Sequence, residues 1–374
     1  MKPWKKHILF FLGISFFSGI FIWLSGIIPL TASSGHWDIT KWFLSIGMKR
    51  SVETYTIGKS VPELGRPWMI QKGAGHYEIG CRQCHGAPGD KDSLFGNELT
   101  PNAPWLPSQI HKWEPDELFR IVKHGVKFTG MPAWAALQRN DEVWAMVSFL
   151  RSMPNLSGPE YEKMATILRS GFTNPDYQEN AGKLPVLQSC ANCHGMTGNG
   201  RETSAFPKLA GQNLKYLEHS LKAYAKDERH SGPMELMAAS LKKEEVRKLS
   251  LYFSKQKRIS PSPSHHLVLE GALSEAIKRG ADIAHKGIPQ QRVASCVACH
   301  GPHLDDRRMN PHFPNLSGQF ADYIALQLKL FLKNKRGGTK YANVMHKALF
   351  EMTPQQMRDV ALYYESLTLE KSDP

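Results

Sequence analysis

The chain has 374 residues, 41% of them hydrophobic and 22% charged, with six cysteines and a formal net charge of +13. That apolar share is ordinary for a globular protein and excludes a disordered or collagen-like chain. The positive excess forms no basic stripe with interleaved aromatics, so no nucleic-acid partner is expected. At the N-terminus Lys2, Lys5 and Lys6 precede Ile8–Leu30, a run without a charge. A membrane span needs roughly 20 apolar residues, whereas a cleavable signal core has about 7–15. The length therefore favours a retained anchor, although the small residues Thr31–Gly35 just after it would suit a peptidase. Residues 1–35 are assigned to a cytoplasmic stub and a single transmembrane helix in the phospholipid bilayer. The basic flank keeps the N-terminus inside and exports everything that follows. Residues 36–66 form a connecting segment. Its Trp37, Trp42 and Phe43 suit either a helix in the membrane–water interface or packing against the next domain.

Three copies of Cys-x-x-Cys-His follow, and they use all six cysteines: Cys81, Cys84 and His85; Cys190, Cys193 and His194; Cys296, Cys299 and His300. The pattern reads as a c-type haem attachment site. Two thiols bond the vinyl groups of one haem, and the histidine offers an axial nitrogen to its iron. A zinc site or a dithiol pair is the alternative for any single copy. Neither explains a histidine after every second cysteine. The expected cofactors are three covalently bound haems c.

A second axial ligand, usually methionine, is expected on a later loop. The candidates are Met131, Met234 and Met345, at 46, 40 and 45 residues beyond His85, His194 and His300. Each is followed in one common register by an apolar helical stripe. The stripes are Val143, Met146, Phe149 and Leu150; Val246, Leu249, Tyr252 and Phe253; and Met357, Val360, Tyr363 and Tyr364. Asp141-Glu142, Glu244-Glu245 and Gln355-Gln356 open these helices, the carboxylates at the end that favours negative charge. Pro207–Gln212 repeats as Pro314–Gln319. Beyond each glutamine a second stripe (Tyr216, Leu221, Tyr224; Tyr323, Leu328, Phe331) is expected to wall a haem pocket.

The predicted fold is all-α: an N-terminal transmembrane helix, then three small domains that resemble class I cytochrome c domains, each wrapped around a covalent haem. The domains span 67–155, 176–258 and 267–374. Linkers cover 156–175 and, around Ser260–Ser264, 259–266. Cores this small are thin, and a bound apolar macrocycle supplies part of the interior.

The motifs carry a family resemblance over about residues 70–368. Each unit resembles a class I cytochrome c. The second and third, through SCANCHGMTGNG, FPKLAGQ, SCVACHG and FPNLSGQ, resemble the tandem dihaem cytochromes of the c-four type. The first, through GCRQCHGAPG and KHGVKFTGMPAW, resembles single-haem modules of membrane-anchored cytochromes that serve periplasmic dehydrogenases. The third unit departs from the pattern after its motif, with Gly301-Pro302-His303 and the run Asp305–Arg308. The resemblance implies that Pro207 and Pro314 offer backbone carbonyls to His194 and His300. For His85, Pro101 and Pro104 compete. It also places the haem domains in the periplasm of a bacterium, anchored to the inner membrane.

The expected function is electron transfer, one electron at a time, between a dehydrogenase or quinol-side donor and a downstream cytochrome or terminal oxidase. The basic second and third units could steer an acidic redox partner. The alternative is a permanent cytochrome subunit of a membrane-bound alcohol- or aldehyde-type dehydrogenase or of an oxidase complex. His/Met ligation raises the potential and leaves no vacant iron site, so no independent catalytic centre is expected. Catalysis at a haem would need a displaceable ligand, for which His303, Met309, His312 and His346 near the third haem and Met237 near the second are the extra candidates.

Overall fold

The computed structural model of the chain describes residues 3–28, 31, 34–166, 186–201, 203–259, 270–301, 310–339 and 341–367. Ala32 and Ser33, much of both linkers (167–175 and 260–266), the opening of the second domain at 176–185, His303, Met309 and the Asp305–Arg308 run lie outside these residues. Among the described residues the fold is helical, with no strand and two isolated bridges, Ala87 with Asp90 and Ile288 with Val293.

Helix α1 (Pro3–Ser25) is long and apolar enough to cross a membrane, and none of its residues is buried in the protein. It stops before the apolar run does, because Gly26 turns the backbone to φ +68°. Helix α2 (Asp38–Thr56) lies within the expected connecting segment and has two halves. Trp42 and Phe43 are exposed in the first half, while Val52 and Thr56 are buried in the second. The second half rests on α5 (Pro115–His124), where the Arg120 guanidinium lies 4.2 Å from the centre of the Tyr55 ring.

In the first unit, α3 (Pro67–Gly80) leads into the short α4 (Arg82–His85), and the unit closes with α6 (Asn140–Ser152). Pro67 opens α3 at a position where its missing N–H costs nothing. The predicted stripe of α6 faces inward: Val143, Met146, Phe149 and Leu150 are all buried. Helix α7 (Gly158–Ala165), at the start of the region read as linker, is capped by Ser157 and buries Tyr161 and Ala165 against α3. That region's first ten residues therefore pack with the first core. Their few apolar positions are too short a run to read as an element from sequence.

The second unit contains α8 (Leu187–His194), α9 (Leu214–Ala225), α10 (Gly232–Ala239) and α11 (Lys243–Lys255). The third contains α12 (Glu270–Lys286), α13 (Val297–His300), α14 (Ala321–Leu332), α15 (Ala342–Ala348) and α16 (Pro354–Ser366). Val246, Leu249 and Phe253 are buried in α11, as are Met357, Val360, Tyr363 and Tyr364 in α16. Thr353 and Gln356 form a reciprocal capping box at the start of α16, so the amide noted in the sequence satisfies backbone donors. Three separate apolar clusters result, one per unit.

A helix before the haem motif crosses the closing helix in the first and third units. The crossing is close because each leading helix presents glycine. A Cβ on Gly73 would lie 2.3 Å from the Ala145 carbonyl oxygen, and one on Gly280 would lie 2.0 Å from that of Asp359. Both contacts are with backbone, which cannot rotate away. Gly73→Ala and Gly280→Ala are each expected to cost about 1–3 kcal/mol by overpacking. Urea unfolding followed by far-ultraviolet circular dichroism measures this, and an unchanged midpoint for either would show that the crossing is looser than described.

Candidate functional site

Each Cys-x-x-Cys-His motif forms or ends a helix and is followed by glycine with positive φ: Gly86 at +65°, Gly195 at +80° and Gly301 at +58°. A Cβ on Gly195 would meet the Gly200 carbonyl oxygen at 2.3 Å, so the chain turns there only without a side chain. The turn carries the following loop back over the histidine. In each unit the histidine Nδ1 then meets a proline carbonyl: His85 with Pro104 at 2.8 Å, His194 with Pro207 at 2.9 Å, and His300 with Pro314 at 2.9 Å. Of the two candidates for His85, the structure selects Pro104. Such a bond places the proton on Nδ1 and leaves Nε2 as the free nitrogen for a metal. Burial lowers the basicity of all three imidazoles.

The six cysteines form no disulfide. Burial pushes the thiols of Cys81, Cys190 and Cys193 up to about 12 and that of Cys296 to about 11. These are neutral thiols in apolar surroundings.

Cys190, Cys193, His194 and Met234 line one cavity of about 670 Å³, and Cys296, Cys299, His300 and Met345 line the same cavity. Its walls include the predicted stripes from Tyr216 to Tyr224 and from Tyr323 to Phe331. Met237 and His312 also reach it. His346 is not among its lining residues; its Nδ1 meets the Phe331 carbonyl at 2.7 Å. Cys81, Cys84, His85 and Met131 belong to the first unit and do not line this cavity. Met131 sits on the loop between α5 and α6. Its N–H donates to Thr129 Oγ1 at 3.1 Å, and its carbonyl accepts from Val126 N–H at 3.2 Å. Gly125, at φ +65°, makes that loop possible, since a Cβ there would meet the Met131 carbonyl oxygen at 2.6 Å.

The second and third units join through a pseudo-twofold exchange. The Gln212 side chain accepts from Asn315 N–H at 2.7 Å and donates to the Asn315 carbonyl at 3.1 Å. The Gln319 side chain does the same with Lys208, at 2.9 Å for both bonds. Lys208 and Asn315 directly follow the two prolines that hold the histidines. The repeated Gly-Gln element seen in sequence is thus the lock between the repeats.

Two arginines went unread in the sequence. Arg229 and Arg336 occupy the same position counted from Gln212 and Gln319, which is the signal that could have exposed them. Both are buried and line the cavity. Each crosses the interface: Arg229 donates to Tyr323 Oη at 3.1 Å, and Arg336 to Tyr216 Oη at 2.8 Å. Each also reaches its own unit, Arg229 to Ser220 at 2.9 Å and Arg336 to Gln327 at 2.5 Å. Among the described residues neither has a carboxylate partner. Burial alone would raise the Tyr216 phenol, but the two guanidiniums bring it down to about 7. An apolar cavity with paired thiols, an aimed imidazole, a thioether and two unneutralised guanidiniums fits haem. The thiols suit its vinyl groups, the guanidiniums its carboxylates.

A profile for cytochrome c matches residues 180–257 and 278–368, and one described as cytochrome c oxidase, cbb3-type, subunit III matches residues 69–150. Cytochrome c-552 of Acidithiobacillus ferridurans is 34% identical over 186 residues, covering 49% of this chain and 75% of the relative. A thiosulfate dehydrogenase electron acceptor of Thiomonas intermedia is 33% identical over 181 residues, covering 48% and 79%. Cytochrome c4 of Pseudomonas aeruginosa is 29% identical over 178 residues, covering 48% and 83%.

Removing the Gln319 amide strands the buried Lys208 N–H and carbonyl, and removing the Gln212 amide strands the Asn315 N–H, while Arg258 still donates to the Asn315 carbonyl. Gln212→Ala and Gln319→Ala are each expected to destabilise the paired units by about 1–3 kcal/mol. The check is denaturant unfolding of both variants; similar losses support the two-way exchange, and a loss in one alone would break its symmetry.

Proposed function

The chain belongs to the cytochrome c family, and we propose that it is a membrane-anchored triheme electron carrier of the bacterial periplasm. The observation that carries this reading is the repeated cluster of two partly buried thiols and an imidazole pinned through Nδ1 to a proline carbonyl, once in each of three units. In the proposal the units span residues 67–155, 176–258 and 267–374, with residues 156–165 packed onto the first. Helix α1 is the anchor, with the N-terminus in the cytoplasm. The exposed Trp42 and Phe43 on the first half of α2 support a position at the membrane surface.

Haem, when bound, supplies a one-electron iron couple. The polypeptide does the rest. Cys81 and Cys84, Cys190 and Cys193, and Cys296 and Cys299 would hold the three groups covalently. His85, His194 and His300 would present Nε2, and Met131, Met234 and Met345 a thioether sulfur. That ligand pair raises the potential. Arg229 and Arg336 would receive carboxylates between the second and third units. The cavity those units share supports a short route between their redox centres.

The donor would be a dehydrogenase or a quinol-side protein, and the acceptor a cytochrome or terminal oxidase. The similarity to an electron acceptor of thiosulfate dehydrogenase adds a sulfur-oxidising dehydrogenase to the candidate donors. The second reading is a permanent subunit of a dehydrogenase or oxidase complex, favoured by the match of residues 69–150 to an oxidase-subunit profile. Co-purification of a stoichiometric catalytic subunit from gently solubilised membranes would select it.

The mature chain is expected to carry three haem increments by mass spectrometry. Met131→Ala, Met234→Ala and Met345→Ala are each expected to remove about one third of the near-infrared methionine–iron band. Fewer than three increments would defeat the triheme assignment. An intact band in Met345→Ala would defeat the assignment of Met345 as the third ligand.

A further inference from the structure

The first unit reaches into the second through one buried carboxylate. Glu142, in the first turn of α6, is 1% exposed. Its Oε1 accepts from the Ser231 hydroxyl at 2.6 Å, and its Oε2 accepts from the Gly232 N–H at 2.9 Å and from Trp134 Nε1 at 3.2 Å. The neighbouring Arg139 adds a third tie, donating from Nη1 to the His230 carbonyl at 2.6 Å. Arg139 is itself held by Glu142 at 3.0 Å and by two bonds of 2.8 Å to Asp141, which Lys72 also approaches at 3.5 Å. Burial would raise the Asp141 carboxyl, but Arg139 holds it well below the usual carboxylate range. The grip is therefore a charged network inside the first unit that ends on three consecutive residues of the second.

Those three residues, His230 to Gly232, lead into α10, which carries Met234 in its first turn. Ser231 stands at the N-cap of α10 yet makes no capping bond of its own. Its hydroxyl goes to Glu142 instead, and the same carboxylate takes a backbone N–H at that helix end. A carboxylate there also complements the helix dipole. Docking is tight: a Cβ on Gly232 would lie 2.7 Å from Trp134 Nε1. Lys72, His76 and Arg139 of the first unit line the same cavity as Met234, and a Cβ on Gly75 would sit 3.5 Å from Cys193 Sγ.

We propose that Glu142 is a positioning residue for the second unit's methionine ligand, acting through Ser231 and Gly232, so that docking of the first unit sets the reduction potential at the second site. The inference rests on Met234 being the axial ligand. Loosening the segment would weaken the sulfur–iron contact and lower that one potential, because the thioether is what raises it.

The test uses the full-length, haem-loaded protein with Glu142→Gln and Ser231→Ala, scored by spectroelectrochemical titration and the near-infrared methionine–iron band. Glu142→Gln replaces one acceptor oxygen with a donor. Ser231→Ala removes one bond from the second unit's side and leaves the first unit's core untouched, so it carries the test if Glu142→Gln does not accumulate. Both are expected to lower the same one of the three midpoints, Glu142→Gln by about tenfold in the equilibrium, or 59 mV for one electron. The double variant is expected to be non-additive, since both act on one contact. Three unchanged midpoints and an unchanged band in both variants would overturn the proposal. Met234→Ala, run in parallel, separates the two claims. If it cuts the band while Glu142→Gln and Ser231→Ala change nothing, only the positioning role falls. If it leaves the band whole, the ligand assignment falls, and the positioning role with it.

Discussion

A hydrogen bond from imidazole Nδ1 to a proline carbonyl fixes each of His85, His194 and His300, and much of the surrounding structure holds the two ends of that bond in place. The glycine after each histidine turns the chain back, and the closing helix backs the motif from the core. In the second and third units the residue after the proline is the one that the opposite unit grips. The spacing between a repeated motif and a proline loop thus sets both the orientation of the imidazole and, in the second and third units, the interface.

The two junctions between units differ in chemistry. Between the second and third, neutral amides and backbone groups exchange bonds around a pseudo-twofold axis, and Arg258 adds bonds to the Ala210, Asn315 and Ser317 carbonyls. Two related repeats can meet this way because each offers what the other lacks. Between the first and second, no such symmetry is available, since the first unit has no Gly-Gln element. A buried cluster of Arg139, Asp141 and Glu142 takes its place. Removing one partner from such a cluster is costly, which makes the docking specific more than strong. Arg201 reinforces this junction by reaching the Met164 carbonyl at 2.9 Å while also bonding that of Asn192 inside its own unit.

The N-terminal region divides into an exposed stretch and a packed one. Helix α1 buries nothing in the protein, and the first half of α2 leaves Trp37, Trp42 and Phe43 exposed. The second half of α2 leans on α5 through Tyr55 and Arg120. Interfacial placement and packing on the first unit are therefore compatible in one helix, each using a different stretch of it.

Haem chemistry, the three-fold repetition and the apolar faces of the closing helices were legible in the sequence, because each depends on residues close together in the chain. Two thiols and an imidazole must fall within five consecutive residues to serve one haem, and a helix must repeat its apolar face every three to four residues. The roles of Glu142, Gln212, Gln319, Arg229 and Arg336 were not legible. Each acts on a group about 90 to 120 residues away, and a buried carboxylate at a helix start looks the same in sequence as a solvated one. Only the docking of one unit on another, which excludes water and brings unmatched donors and acceptors together, decided what those side chains do.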